Sequence, residues 1–229
     1  MRAELDLYAR VEHLLGIEDS TEFLHDNYAR VLSEHGVGSV LDIGCGRGGL
    51  MRLLEDEGIK CKGIDLSQVM VDEAKSAGLD AECIDICEEK GRYDACVAVF
   101  DVLNFMDEDA LEEFFECVAG VLEKDGLLIA DVNTLHGFKN VADGTMSAED
   151  DSGFLTVDAA YGNEELHTKL TYFSLKADGC YKKEQQTIVQ YFHPIKFFRK
   201  KRPMKLINHE KISLYDKDDK ALLVFKKRP

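Results

Sequence analysis

The chain has 229 residues, 45% hydrophobic and 31% charged, with only three prolines, which suits one α/β domain with an elaboration and little disordered linker. Its 28 Lys and Arg face 44 Asp and Glu, a formal net charge of -16. Nucleic acid and anionic membrane surfaces, which are bound through a basic footprint, are therefore excluded as expected partners.

The opening MRAELDLYAR is too charged for a secretory leader, and no apolar run reaches membrane length, so a cytoplasmic location is expected. Helical spacing over residues 3–35 puts Leu5, Tyr8, Val11, Leu14 and Leu15 on one stripe and Phe23, Leu24, Tyr28, Val31 and Leu32 on another. Two helices thus precede the first strand, SVLDI at 39–43. A glycine turn and a helix through Glu57 follow. KCKGID at 60–65 is a second strand, Ser67 caps a helix that Gly78 ends, and AECIDI at 81–86 is a third strand. YDACVAVF at 93–100 is a fourth strand, a helix spans 108–123, and GLLIADV at 126–132 is a fifth. Strands that alternate with helices and read as continuous apolar runs form a parallel sheet covered on both faces.

Past residue 133 the pattern changes. Residues 134–153, rich in Gly, Asp, Ser and Asn, read as a long loop that can carry a helical turn. FLTVDAAY, LHTKLTYFSLK and YKKEQQTIVQYF then alternate as antiparallel strands, the last two joined by a turn at Asp178–Gly179. The chain closes on two strands around an Asp-rich turn. The basic cluster KFFRKKR, 196–202, reads as a solvated helix face with Phe197 and Phe198 packed inward, or as a hold for an anionic group. The seven scattered cysteines, without C-x-x-C, read as reduced and buried, and no metal is expected.

The chemistry centres on LDIGCGRGGL, 41–50. Gly44, Gly46 and Gly49 fit G-x-G-x-x-G, the dinucleotide fingerprint of an NAD-dependent oxidoreductase, and the same residues with Asp42 spell D-x-G-x-G-x-G. A carboxylate beside an anionic pyrophosphate costs electrostatic energy, whereas an ammonium and a sulfonium gain. Asp42 therefore favours a cationic adenosyl ligand. Asp65 ends the second strand at about the 20-residue interval expected of a ribose-binding acid in either class. Asp85, ending the third, is placed to accept from an adenine amine.

On these motifs, VLDIGCGRG, GIDLS, AECIDI and FDVLNF, residues 39–132 resemble the class I S-adenosylmethionine-dependent methyltransferases. The resemblance implies a Rossmann-like, mostly parallel seven-stranded sheet with helices on both faces and an antiparallel last strand, plus the grafted antiparallel insertion. It implies a division into 1–38, helices over the cofactor; 39–133, the cofactor-binding core; 134–203, a lid and substrate region; and 204–229, the closing hairpin. It further implies that Gly44, Cys45 and Gly46 cradle the methionine part of S-adenosylmethionine beside Asp42, and that Asp65 holds the ribose. Leu66 would lie against adenine, with Asp85 and Ile86 at its edge. Phe100 would offer its carbonyl, and Tyr8 would close over the cofactor or merely pack. Arg47 stands where the family often has a small or β-branched residue.

In-line methyl transfer needs mainly alignment and exclusion of water. Asp101 and Asn104 are candidate polar groups at the fourth strand end, with chain capping as the equal alternative; His136 is a candidate base or an ordinary loop histidine. FDVLNF lacks the prolines of the exocyclic-amine DNA methyltransferases, so the acceptor is expected to be a small molecule. An inactive partner-binding protein and an aminopropyl transferase are the remaining readings. The edge of the grafted sheet is a candidate homodimer contact.

Overall fold

A computed structural model describes residues 6–229; the expected helix start at residue 3 lies outside them. Helices α1 (Asp6–Val11) and α2 (Glu18–Glu34) precede β1 (Ser39–Ile43), α3 (Gly49–Asp56), β2 (Lys60–Ile64), α4 (Gln68–Ser76), β3 (Ala81–Glu82), β4 (Tyr93–Ala98), α5 (Glu108–Val121) and β5 (Leu122–Asn133). Strands β6 (Gly144–Asp150), β7 (Gly153–Gly162), β8 (Glu165–Leu175) and β9 (Tyr181–Tyr191) follow, then α6 (Ile195–Phe198), β10 (Met204–Ile212) and β11 (Lys220–Lys227).

The main sheet has the order β10-β11-β5-β4-β1-β2-β3 and the insertion forms a separate sheet, β6-β7-β8-β9. Strands β1 to β5 pair in parallel and β11 runs antiparallel against β5, as the resemblance implies. Alternation along the strands feeds two layers. Leu41, Cys96, Ala98, Leu128 and Ala130 pack under α5; Val40, Ala95, Val97, Leu127 and Ile129 pack under α2, α3 and α4. Each leucine fully buried there stabilises by about 1.5 to 3 kcal/mol. The even-numbered face of β1 and the odd-numbered face of β5 also carry Asp42 and Asp131 into the α2 layer, both nearly inaccessible.

Three expectations are corrected. The third strand is only Ala81–Glu82, because Asp85 caps a 3-10 turn at Ile86–Glu88, accepting from the Cys87 amide while Glu88 accepts from the Asp85 amide. The stretch 134–153 carries the helical turn, at Gly137–Ala142, but is not otherwise a loop, because β6 pairs with β7. That strand is an exposed edge with no apolar alternation to betray it. The cysteines are not all reduced, since the 3-10 turn sets Cys87 against α5 and the structure bridges it to Cys117, Cα to Cα 5.0 Å.

The basic cluster is helical only over Ile195–Phe198, and its two phenylalanines are buried as expected. Its far end docks on α5. Arg202 forks onto Glu112 at 2.7 to 2.9 Å, donates to the Phe197 carbonyl at 3.0 Å and lies over the Phe197 ring. Lys200 pairs with Glu108 on the surface. Arg202→Ala is expected to cost about 2 kcal/mol in a urea titration, since it removes a buried stem, its stacking on Phe197 and its charge-assisted bonds, while the half-exposed Glu112 left behind is solvated. Lys200→Ala should cost under about 1 kcal/mol.

Candidate active site

Strand β1 ends in a turn held from below: the amides of Gly44 and Cys45 both donate to the Ile64 carbonyl, at 2.8 and 3.1 Å. The Gly46 amide donates to Asp65 at 3.0 Å. Gly46 has φ 53°, and a Cβ there would meet nothing within 4 Å, so the backbone presents an open cradle that a side chain would obstruct. Gly63 does the opposite job beneath, where a Cβ would collide with Met51 and Cys45. The Cys45 side chain therefore points into the core, and burial pushes its thiol well up. Only the Cys45 backbone can face a ligand.

Asp42 is 2% exposed and its Oδ1 has no hydrogen-bond partner. Burial, then the nearby Asp65 charge, pushes its carboxyl up to about 7. A buried acid without a partner is costly unless a cation or donor completes it. Asp65 accepts from the Gly46 and Ser67 amides, at 3.0 and 2.8 Å, and burial raises it too. Half-buried Leu66 follows, and Asp85 with buried Ile86 begins the next turn. Asp42 and Asp65 thus stand at the C-terminal ends of adjacent strands, with Asp85 just beyond β3, where open α/β sheets bind ligands.

At the end of β4, Phe100 and Asp101 have φ of 65° and 64°. Two successive non-glycine residues in the left-handed region need external restraint. Asp131 supplies it by accepting from both amides, at 2.8 and 3.2 Å. The Tyr28 hydroxyl, set between the Ala98 carbonyl and Asp131, supports that carboxylate at 2.7 Å. Lys220, buried at the start of β11, donates to Asp131 at 3.1 Å and makes a very short bond to Asp101. Asn133 donates to the other Asp101 oxygen at 2.8 Å. Burial raises Asp101 to about 6 against the pull of Lys220, while Asp131, equally buried, is held below the usual carboxylate range by Lys220 and Tyr28.

The other candidates are placed unequally. Asn104 is fully buried and spent at both ends, donating to the Tyr191 carbonyl and accepting from the Asn133 amide. His136 lies on the surface between Asp216 and Asn140, at 2.8 and 2.9 Å. Tyr8 comes to the centre: burial, with Glu12, Tyr215 and Asp101 close by, drives its hydroxyl far up. Arg47 explains how α1 is brought there. Its guanidinium bonds Glu73 at 2.5 Å, the Ala9 carbonyl at 2.6 Å, and Glu12, clamping the N-terminal segment across the glycine turn. The opposite face of α1 packs Leu7 and Val11 on Leu155, Leu170, Tyr172 and Ile188 of the inserted sheet. Of the insertion's tyrosines, Tyr172 joins this cluster, Tyr161 packs on Phe138, and Tyr181 faces solvent.

The residues that organise the β4 end, Tyr28, Asp131, Asn133 and Lys220, belong to no motif. The sequence does carry a signal for two of them, an acid inside GLLIADV and a lysine opening KALLVF, charged residues in otherwise apolar strands. Among the described residues no cluster of side chains suited to a metal occurs, and no helix is long and apolar enough to cross a membrane.

This architecture, with acids around a glycine turn at the strand ends, is a Rossmann-like cofactor-binding fold. The profile of the methyltransferase domain family matches residues 40–126, and the fold is that of the class I S-adenosylmethionine-dependent methyltransferases. It is similar, at 27% identity over 164 residues, to a protein of Geobacillus sp. (strain WCH70) that carries a methyltransferase name. The chain spans between 56% and 66% of the length of the curated relatives it matches. Among solved structures, an S-adenosylmethionine-dependent methyltransferase from Clostridium acetobutylicum ATCC 824 superposes with a TM-score of 0.78 at 19% identity, over 98% of this chain and 100% of its own. CalS10 of Micromonospora echinaspora, described as an amino pentose methyltransferase with S-adenosylmethionine bound, superposes with a TM-score of 0.73 at 13% identity, over 97% of each chain. The glycine spacing alone would serve NAD equally; the match to the methyltransferase domain family favours S-adenosylmethionine.

Proposed function

We propose that the protein moves the methyl group of S-adenosylmethionine to a nucleophilic nitrogen or oxygen of a small-molecule acceptor, with an amine nitrogen favoured. The observation that carries the cofactor assignment is the orphaned oxygen of Asp42 beside the open cradle at Gly46. An ammonium completes that carboxylate, whereas a pyrophosphate would be repelled by it.

When bound, S-adenosylmethionine supplies an electrophilic methyl on its sulfonium. Asp42 takes the ammonium, and the backbone of Gly44, Cys45 and Gly46 with the Phe100 carbonyl lines the methionine part. Asp65 accepts from the ribose hydroxyls, Leu66 lies against adenine, and Asp85 and Ile86 border its edge. Asp101, with 13% of its side chain accessible, takes the proton that an acceptor amine sheds, and Tyr8 orients the acceptor from α1. Asn104 holds the strand ends in place, and His136 braces the surface turn before β11. In this reading 1–38 closes over the cofactor, 39–133 and 204–229 form the binding core, and 134–203 selects the acceptor. Favouring nitrogen rests on the carboxylate at Asp101, and the amino-sugar substrate of CalS10 is of the same kind.

The test is isothermal titration with S-adenosylmethionine, S-adenosylhomocysteine and NADH in parallel, followed by a panel of small amines and alcohols read by release of S-adenosylhomocysteine. Saturable binding of both sulfur ligands and turnover with amines is the expected result. Binding of NADH alone would overturn the cofactor assignment, and turnover confined to alcohols would move the nucleophile to oxygen.

A further inference from the structure

The side chain of Lys220 is 1% exposed, at the start of the last strand. Burying a lysine is unfavourable unless its charge is matched, and here two carboxylates match it. The run that follows, ALLVF, is buried and apolar, so Lys220 is the one charge in the buried part of this strand. The ammonium also lies over the Phe100 ring at 5.4 Å, so it reaches both residues of the left-handed pair.

We propose that Lys220 is a positioning residue for methyl transfer: its bonds to Asp101 and Asp131 keep Asp101 a carboxylate and keep the Phe100–Asp101 turn in the form that presents it to the acceptor. The proposal rests on the reading of Asp101 as the group that takes the acceptor's proton. Around Asp101 stand Lys220 from β11, Asp131 and Asn133 from β5, Tyr8 from α1, Tyr28 from α2 and Tyr215 from the turn before β11. Among the described residues, Lys220 is the only cation in contact with it. Two neighbouring carboxylates cannot both stay ionised in a buried site without a cation. Asp131 holds its charge, because two backbone amides and the Tyr28 hydroxyl donate to it. Without Lys220 the proton therefore goes to Asp101, which then has no basic oxygen to offer.

The experiment is a carbon-13 NMR titration of the aspartate carboxyls in the full cofactor-free chain, as wild type, Lys220→Met and Lys220→Arg, with Asp101→Asn to assign the signal. Asp101 should titrate near 6 in the wild type, rise by about one pH unit or more in Lys220→Met, and return most of the way in Lys220→Arg. An unmoved titration in Lys220→Met overturns the proposal, as does an arginine variant indistinguishable from the methionine one. Should Lys220→Met not fold, the nitrogen-15 signal of Lys220 in the wild type decides: an ammonium still charged at pH 9 supports the arrangement, and a neutral amine at pH 8 overturns it. The amine panel reads the premise separately. No turnover by wild type on any amine would sink the base role of Asp101, whereas an unmoved titration sinks the role of Lys220 alone.

Discussion

Asp65→Ala is expected to weaken S-adenosylhomocysteine binding by about 100- to 1000-fold, read by isothermal titration at neutral pH. Two ribose hydroxyls donating to one carboxylate are charge-assisted bonds worth roughly 1.5 to 3 kcal/mol each, and a factor of ten takes about 1.4 kcal/mol. The substitution also frees the Gly46 and Ser67 amides that Asp65 now receives, so the cradle and the start of α4 lose their common anchor. The fold itself should hold. Burial raises the Asp65 carboxyl above its usual range, so its ionised form is already strained in the ligand-free protein, and a thermal midpoint should shift by only a few degrees. Asp65→Asn keeps the shape and loses the charge; a drop of about tenfold is expected there. A change of less than threefold in Asp65→Ala would remove Asp65 from the ribose site.

The main sheet was legible because its parallel strands are continuous apolar runs separated by capped helices, and because Asp42, the glycines and Asp65 lie close together in sequence. The inserted sheet was legible from alternation, except β6, which is exposed on both faces and leaves no period to read. What sequence could not show is what distant residues do together. Asp131 and Lys220 are 89 positions apart and Tyr28 and Asp131 are 103 apart, yet they share one carboxylate. The Cys87–Cys117 bridge depends on a 3-10 turn where a strand was expected. Arg47 looked like a departure from the family's turn; in the fold it is the clamp on α1, because Glu12, Glu73 and the Ala9 carbonyl converge on it. Asn104 and His136 were good candidates by position, and the structure gives their polar atoms protein partners instead.

The affinity for S-adenosylhomocysteine should fall as the pH is lowered from 7.5 to 5.5, by about tenfold per unit once well below pH 7, and Asp42→Asn should abolish most of that slope. The ligand-free carboxyl of Asp42 titrates at about 7, raised first by burial and then by the Asp65 charge. Binding an ammonium favours the carboxylate and lowers that value, so complex formation releases a proton and is opposed by acid. The same residue acts with opposite sign on the empty fold: because its folded pKa lies above the unfolded one, its contribution to stability is complete near pH 4 and is lost as the pH rises through 7. Ligand binding and folding should therefore respond in opposite directions to pH across this window. S-adenosylhomocysteine is the right probe because it keeps the ammonium and lacks the sulfonium, so the slope reports the contact at Asp42 rather than the methyl-bearing centre. Titrations in two buffers of different ionisation enthalpy would count the released proton directly. A pH-independent affinity in the wild type, or an undiminished slope in Asp42→Asn, would place the ammonium elsewhere and leave the orphaned oxygen of Asp42 without its proposed partner.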